Sequence, residues 1–249
     1  MDTLKLSSVL VAVIVSVGAV IGASVLGNAL VRSRSDSEMI RVTGSARKPI
    51  SSDFVIWNLA VTQRANEMGG AYAGLKGSVD KAQKFLASKG VKSEEIFPSS
   101  IRTQTLYAPR PADEGYDYQT MRAVQGYELT QSIEVRSSNV DQVEKVAREI
   151  TDLLSQGVNI ESSEPRYIYT KISEEKVQIL AEAAKDARRR AEEIAANSGA
   201  SITGVRFARM SPLQITPVFS TEVSGEGIND TSSREKAITA IVTLGFGVR

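Results

Sequence analysis

The stretch Phe54-Val55-Ile56-Trp57-Asn58-Leu59-Ala60-Val61-Thr62 alternates Val55, Trp57, Leu59 and Val61 on one face with the mixed set Phe54, Ile56, Asn58 and Ala60 on the other. A period of two with apolar residues on both faces predicts an interior strand, with Trp57 in the core. Helical spacing follows, in Tyr72, Leu75, Val79, Ala82, Phe85 and Leu86, and it stops at Gly90. A strand is predicted from Ile96 to Tyr107. Its hairpin partner sets Tyr127, Leu129, Ile133 and Val135 against Glu128, Thr130, Ser132 and Glu134, so one face of this sheet is wet.

A second helix is announced by Asn139 as N-cap with Gln142 three residues on. Its stripe of Val140, Val143, Val146, Ala147, Ile150, Leu153 and Leu154 ends at Gly157. A strand over 166–170 completes the order strand, helix, strand, strand, helix, strand. This is the split-βαβ order of a ferredoxin-like βαββαβ core. A third helix from Ser173 to Gly199 carries Val177, Leu180, Ala181, Ala184, Ala187, Ala191, Ile194 and Ala195, and strands over 202–209 and 237–248 close the chain. Each helix ends at a glycine followed by an apolar residue, Gly90-Val91, Gly157-Val158 and Gly199-Ala200, as a left-handed C′ position requires. The fold class expected is α+β, with helices on one face of a mainly antiparallel sheet and the other face solvated or covered by another subunit.

Of 249 residues, 42% are apolar and 24% charged, which excludes disorder as the main state. Cysteine and histidine are absent. Their absence removes thiol nucleophiles, disulfides, Cys or His zinc sites, imidazole bases and Ser-His-Asp triads. The net charge is +1, and the first 35 residues hold only Lys5, Arg32, Arg34 and Asp2, so the remainder has no basic excess to attract nucleic acid.

Residues 6–31 contain no charge and are bounded by Lys5 and by Arg32 and Arg34. As a helix, at about 1.5 Å per residue, this run exceeds the roughly 30 Å hydrocarbon core of a bilayer. Gly27-Asn28-Ala29 has the small-x-small form of a signal-peptidase site, but the apolar run is longer than a cleavable signal needs. An uncleaved signal-anchor and linker over 1–35 and a folded domain over 36–249 are therefore expected, with the lipid bilayer as one partner. One Lys before and two Arg after the span weakly favour a cytoplasmic domain on charge alone.

Candidate chemistry is sparse. The connections 108–123 and 211–236 are long for a compact fold. The first interleaves Pro109 and Pro111 with Tyr116 and Tyr118 after Tyr107, amphipathic side chains suited to protein contacts, and Tyr107, Tyr116 and Tyr118 are the candidate contact residues. Gly225-Glu226-Gly227 lies in a Ser/Thr-rich loop with no helix after it, so it predicts no phosphate cradle. The pairs Glu94-Glu95, Glu174-Glu175 and Glu192-Glu193 are adjacent and do not face each other on a helix. Arg188-Arg189-Arg190 reads as a solvated face neutralised by Glu192 and Glu193, and Asn229-Asp230-Thr231 has the form of a glycosylation sequon. No catalytic, cofactor-binding or metal-ligating residue is predicted.

Several segments together resemble the SIMPL family, over roughly Met39 to Val248. They are Ile40-Arg41-Val42-Thr43-Gly44 with Pro49 and Asp53, Leu86 to Val91, Gly126-Tyr127-Glu128-Leu129, EAAKDARRRAEEIAANSGASITGV over Glu182 to Val205, and the closing AITAIVTLGFGV. The resemblance implies an exported or membrane-tethered α+β protein that assembles into large homo-oligomeric rings, with no established activity or catalytic residues. It places the main domain in the periplasm, anchored to a bacterial inner membrane, in a scaffold or interaction role connected with envelope or oxidative stress. A small-molecule or lipid-binding module using the open sheet face or an inter-subunit cavity is the alternative expectation.

Overall fold

The computed structural model describes residues 16–25, 27, 39–108 and 123–249. Residues 16–25 and 27 are helical, and the rest of the anchor expected over 6–31 lies outside the described residues. Among the described residues, no helix is long and apolar enough to cross a membrane. From position 39 the chain is a mixed α+β protein with mainly antiparallel sheets, divided into two compact units.

The larger unit comprises Lys48–Glu175 and Gln214–Ile238. Its sheet has the order β3 (Ile96–Tyr107), β4 (Val124–Ser137), β2 (Phe54–Ala65), β5 (Ile160–Ser162), with β6 (Arg166–Ile168) also on β2. The β2–β4 ladder runs without slippage from Val55 opposite Ser137 to Ala65 opposite Tyr127. Val55, Trp57, Leu59 and Val61 are buried with Leu129, Ile133 and Val135, as the alternation predicts. They pack with Leu75, Val79 and Leu86 of α1 (Met68–Ser88) and Val143 and Val146 of α2 (Val140–Glu149). The Trp57 indole N–H is satisfied by the Ser162 hydroxyl at 3.1 Å.

Local chemistry explains where these elements break. The four steps from Ser162 to Arg166 run against only three of β2, from Leu59 to Ile56, because Pro165 cannot donate to the ladder and an extra residue bulges out. Pro98 sits on edge strand β3, where its missing N–H costs nothing, and the irregularity after it is satisfied by Ser99, whose hydroxyl accepts the Ser132 N–H and whose carbonyl accepts the Gln131 amide. Asn139 caps α2, its side chain accepting the Gln142 N–H at 3.2 Å. Val91 N–H reaches Leu86 O and Gly90 N–H reaches Ala87 O, and the same pair of bonds recurs at Val158 and Gly157 and at Ala200 and Gly199. All three glycines have φ of +74° to +84°, so each predicted stop is a Schellman motif.

The second predicted helix is shorter than its stripe. After Glu149 the chain tightens into a 3-10 helix, Ile150–Gln156, and this rotation keeps Ile150 and Leu153 buried while turning Leu154 outward.

The smaller unit contains the described residues up to Arg47, Lys176–Leu213 and Thr239–Arg249. Two strands, β1 (Met39–Ser51) and β10 (Glu235–Val248), and the helix α3 (Ile172–Asn197) have residues in both units. The second sheet has the order β1, β10, β8 (Gln214–Pro217), β9 (Ile228–Asn229), with β7 (Ile202–Met210) antiparallel to β10. The last two predicted strands therefore do not extend the first sheet, and β1, β8 and β9 join them. β1 is unreadable as a strand because its buried positions include Val42, Gly44 and Ile50 among Arg41, Arg47 and Pro49.

The face of α3 differs from the predicted stripe. Ile179, Ala183, Ala187, Ala191 and Ala195 are buried, whereas Val177 is 71% exposed and Ile194 50%. Side-chain size selects this face. A Cβ placed on Gly44 of β1 would lie 2.2 Å from the Ala187 nitrogen and 2.4 Å from the Ala183 carbonyl oxygen, an approach that only small residues permit.

Candidate functional site

Within the larger unit, the face of the first sheet turned away from α1 and α2 is open and polar. Thr62 and Thr130 face each other across β2 and β4, with their hydroxyls hydrogen-bonded at 3.1 Å. Arg64 and Glu128 form an ion pair two residues along the same strands. Arg102 on β3 lies opposite Thr130, and Glu161 on β5 lies opposite Ala60. Together with Ser132 and Asn159 these side chains line a depression of about 330 Å³. Its lining combines small and hydroxyl side chains with two guanidiniums and two carboxylates. Such a surface can hold a small polar molecule carrying both charges, through hydroxyls and charge-assisted bonds.

Of the predicted contact residues, Tyr107 lies among the described residues. Tyr107 ends β3 opposite Val124, and both are 51% exposed. Tyr116 and Tyr118 lie outside the described residues. The β3–β4 ladder runs past the end of β2, because Leu106 opposite Gly126 and Tyr107 opposite Val124 come after the last β2 pair at Ala65 and Tyr127. Gly126 permits this: a Cβ there would lie 2.6 Å from the Ala65 carbonyl oxygen.

The arginine run is neutralised, though only in part by the expected partners. Arg188 pairs with Glu192 at 2.8 Å, whereas Arg189 and Arg190 both turn to Asp186, each at 2.8 Å. Asp186 also accepts the Ser45 amide at 3.1 Å. That amide, followed by the two guanidiniums, holds the Asp186 carboxyl below the usual carboxylate range against the opposing effect of burial.

Two ionisable residues of the larger unit have structural roles that pattern reading misses. Burial alone would raise the Asp53 carboxyl, but it accepts the Thr170 N–H at 2.7 Å and the Thr170 hydroxyl at 2.8 Å, and the net direction is downward. Lys236 is 1% exposed, and its ammonium donates to the carbonyls of Tyr167 and Asp230. Burial pushes its pKa down, opposed by the Asp230 carboxylate. Both sites depend on partners more than 60 residues away, Thr170 for Asp53 and Tyr167 for Lys236, which no local spacing announces. Among the described residues, no three His, Cys, Asp or Glu side chains are grouped to hold a metal.

The model of the SIMPL family, described as a protein of unknown function (DUF541), matches residues 40–246. No curated protein matches. Among solved structures, the chain is similar over 55% of its length to a hydantoinase/carbamoylase family amidase from Burkholderia phymatum, at 12% identity, a TM-score of 0.30 and 35% coverage of that chain. It is likewise similar over 55% of its length to one from Burkholderia ambifaria, at 13% identity, a TM-score of 0.27 and 34% coverage. The chain thus spans about a third of each amidase, and superpositions this loose carry no argument about activity. The family model covers most of the sequence, including the glycines of β1 and β4 whose close approaches the fold requires, and the chain belongs to the SIMPL family.

Proposed function

We propose that this chain is a membrane-anchored, extracytoplasmic homo-oligomer that acts as a scaffold or interaction protein, by assembly and not by catalysis. In this reading residues 6–31 cross a bacterial inner membrane, the remainder stands in the periplasm, and copies associate into a large ring with a role in envelope or oxidative stress. The observation that carries it is the Tyr107–Val124 pair, two side chains with apolar surface half exposed on a hairpin that outruns its own sheet. Such a projection offers a contact to a neighbouring copy and leaves a lone copy with apolar surface in water. The strand order β3-β4-β2-β5 supports reading the larger unit as a ferredoxin-like core that presents this hairpin at one edge.

The test is the native mass of the full-length protein extracted from membranes in mild detergent. A defined large oligomer is expected, and Tyr107→Ala should shift it toward smaller species. A monomer at micromolar concentration overturns the proposal.

A second reading, a binding module for a small polar ligand, is favoured by the depression around Thr62 and Thr130, where Arg102 and Glu161 stand beside the paired Arg64 and Glu128. Mass spectrometry of the freshly purified, denatured protein should then release one small molecule per chain, and repeated clean spectra would count against it.

A further inference from the structure

Phe219 is 97% exposed, and the backbone that carries it is held by hydrogen bonds. The Ser220 N–H closes a turn on the Pro217 carbonyl at 3.0 Å, and the Glu222 N–H reaches the Ser220 hydroxyl at 3.2 Å. At the base, the buried Gln214 side chain donates to the Ser224 carbonyl at 2.8 Å and accepts the Ser224 N–H at 3.1 Å, acting as an extra peptide group. Val223, 62% exposed, adds a second apolar side chain. Between Leu213 and Ile228 the only charged residues are Glu222 and Glu226. This braced apolar tip flanked by carboxylates fits an apolar recess with cations at its rim, and it is poorly suited to a bilayer surface, where it brings no cation to the headgroups.

The smaller unit has a recess of that kind. Val42, Thr43 and Ile194, with Arg189, Arg190 and Glu193, line a cavity of about 590 Å³. Ile194 is the half-exposed apolar residue that the α3 packing leaves outside. Arg189 and Arg190 each bond Asp186 through one nitrogen, and a guanidinium has five N–H donors, so both keep capacity for another carboxylate. An arginine of this unit already lies over an aromatic ring, Arg41 at 4.6 Å from the Phe207 centroid.

We infer that the Phe219 tip of one copy seats in the Val42–Ile194 recess of a second copy, with Glu222 and Glu226 meeting Arg189 and Arg190. Tip and recess are different surfaces, so the contact is heterologous and repeats head to tail, which closes into a ring when the rotation allows. The inference rests on the homo-oligomer reading and names one contact that builds it.

The chain has no cysteine, so Phe219→Cys and Ile194→Cys each introduce a single thiol. The two full-length variants are co-expressed with different tags, oxidised in membranes and extracted in mild detergent. The expected product is a disulfide-linked dimer holding one of each variant, several-fold more abundant than either like-with-like dimer. Phe219→Asp, at a site with no packing to lose, should lower the native mass with an unchanged circular dichroism spectrum. If the wild-type protein is oligomeric, the mixed dimer is absent and Phe219→Asp keeps the full mass, the seat is wrong and assembly stands. A monomeric wild type overturns both. A lowered native mass in Phe219→Asp with no mixed dimer would assign the tip to a different contact and overturn the seat.

Discussion

Gly44 lies so close to Ala187 that a Cβ on the glycine would sit 2.2 Å from the Ala187 nitrogen, closer than any non-bonded contact allows. The obstacle is helix backbone, which cannot rotate away as a side-chain end can. Gly44→Ala must therefore displace α3 from β1, and overpacking of this kind costs about 1–3 kcal/mol or more. Gly77, within α1, has no neighbour within 4 Å of the place a methyl group would take, so Gly77→Ala meets open space and should stabilise by about 0.8–1 kcal/mol through helix propensity alone. Urea denaturation of the detergent-solubilised chain should move the two midpoints in opposite directions.

Gly157 isolates the backbone contribution. Its φ is +75° and open space surrounds it, so Gly157→Ala meets no clash and feels only the left-handed conformation. The expected loss is about 1–2 kcal/mol. Gly157→Asn should recover part of it, because asparagine tolerates that region better than alanine does. Equal stability of all three forms would show that Val158 and Leu153 hold the turn without help from the glycine.

Acid sensitivity should trace in part to Asp53. Its folded-state carboxyl is held below the ordinary value of 3.8 by the Thr170 N–H and hydroxyl, despite burial acting the other way. A lowered folded pKa contributes stability that is present above the ordinary value and lost as the pH falls toward the folded one. The urea midpoint should thus be flat from pH 7 to about pH 5 and fall below about pH 4. Asp53→Asn should be less stable at pH 7 and show a shallower acid decline. Asp186 and Asp230, also lowered, should keep some decline in that variant.

The helices and the first sheet were legible because their signals are local. Asn139 and Gln142 sit three residues apart, each stop glycine precedes its apolar partner, and Val55 to Val61 alternate within one strand. What escaped depends on size and distance. Val177 and Ile194 fit a helical stripe by hydropathy, yet Gly44 demands alanines at Ala183 and Ala187, and that constraint lies about 140 residues earlier in the chain. Tyr107 was legible as an exposed aromatic residue at a strand end. The open-face depression was not, because Arg102, Thr130, Thr62 and Glu161 come from four strands whose order only the fold sets.

Lys236 gives the sharpest test of how burial and hydrogen bonding balance. Its ammonium is enclosed and held by the carbonyls of Tyr167 and Asp230, so Lys236→Met removes a costly buried charge and leaves two acceptors without their donor. Unpaired buried acceptors cost about 1–3 kcal/mol each, and the variant should be less stable at pH 7. The pH dependence has a definite sign. Burial lowers the folded pKa below 10.5, so above that lowered value the unfolded chain binds more protons than the folded one, and stability from this group rises with pH until 10.5. Tyr167 and Tyr169, whose pKa values are raised by burial, act oppositely above about pH 10, but they are common to both proteins and cancel in the difference. Wild type minus Lys236→Met, measured by urea denaturation between pH 8 and pH 10, should therefore grow with pH. A constant difference would mean that the folded ammonium keeps its ordinary affinity for the proton, and that the two carbonyls compensate its burial in full.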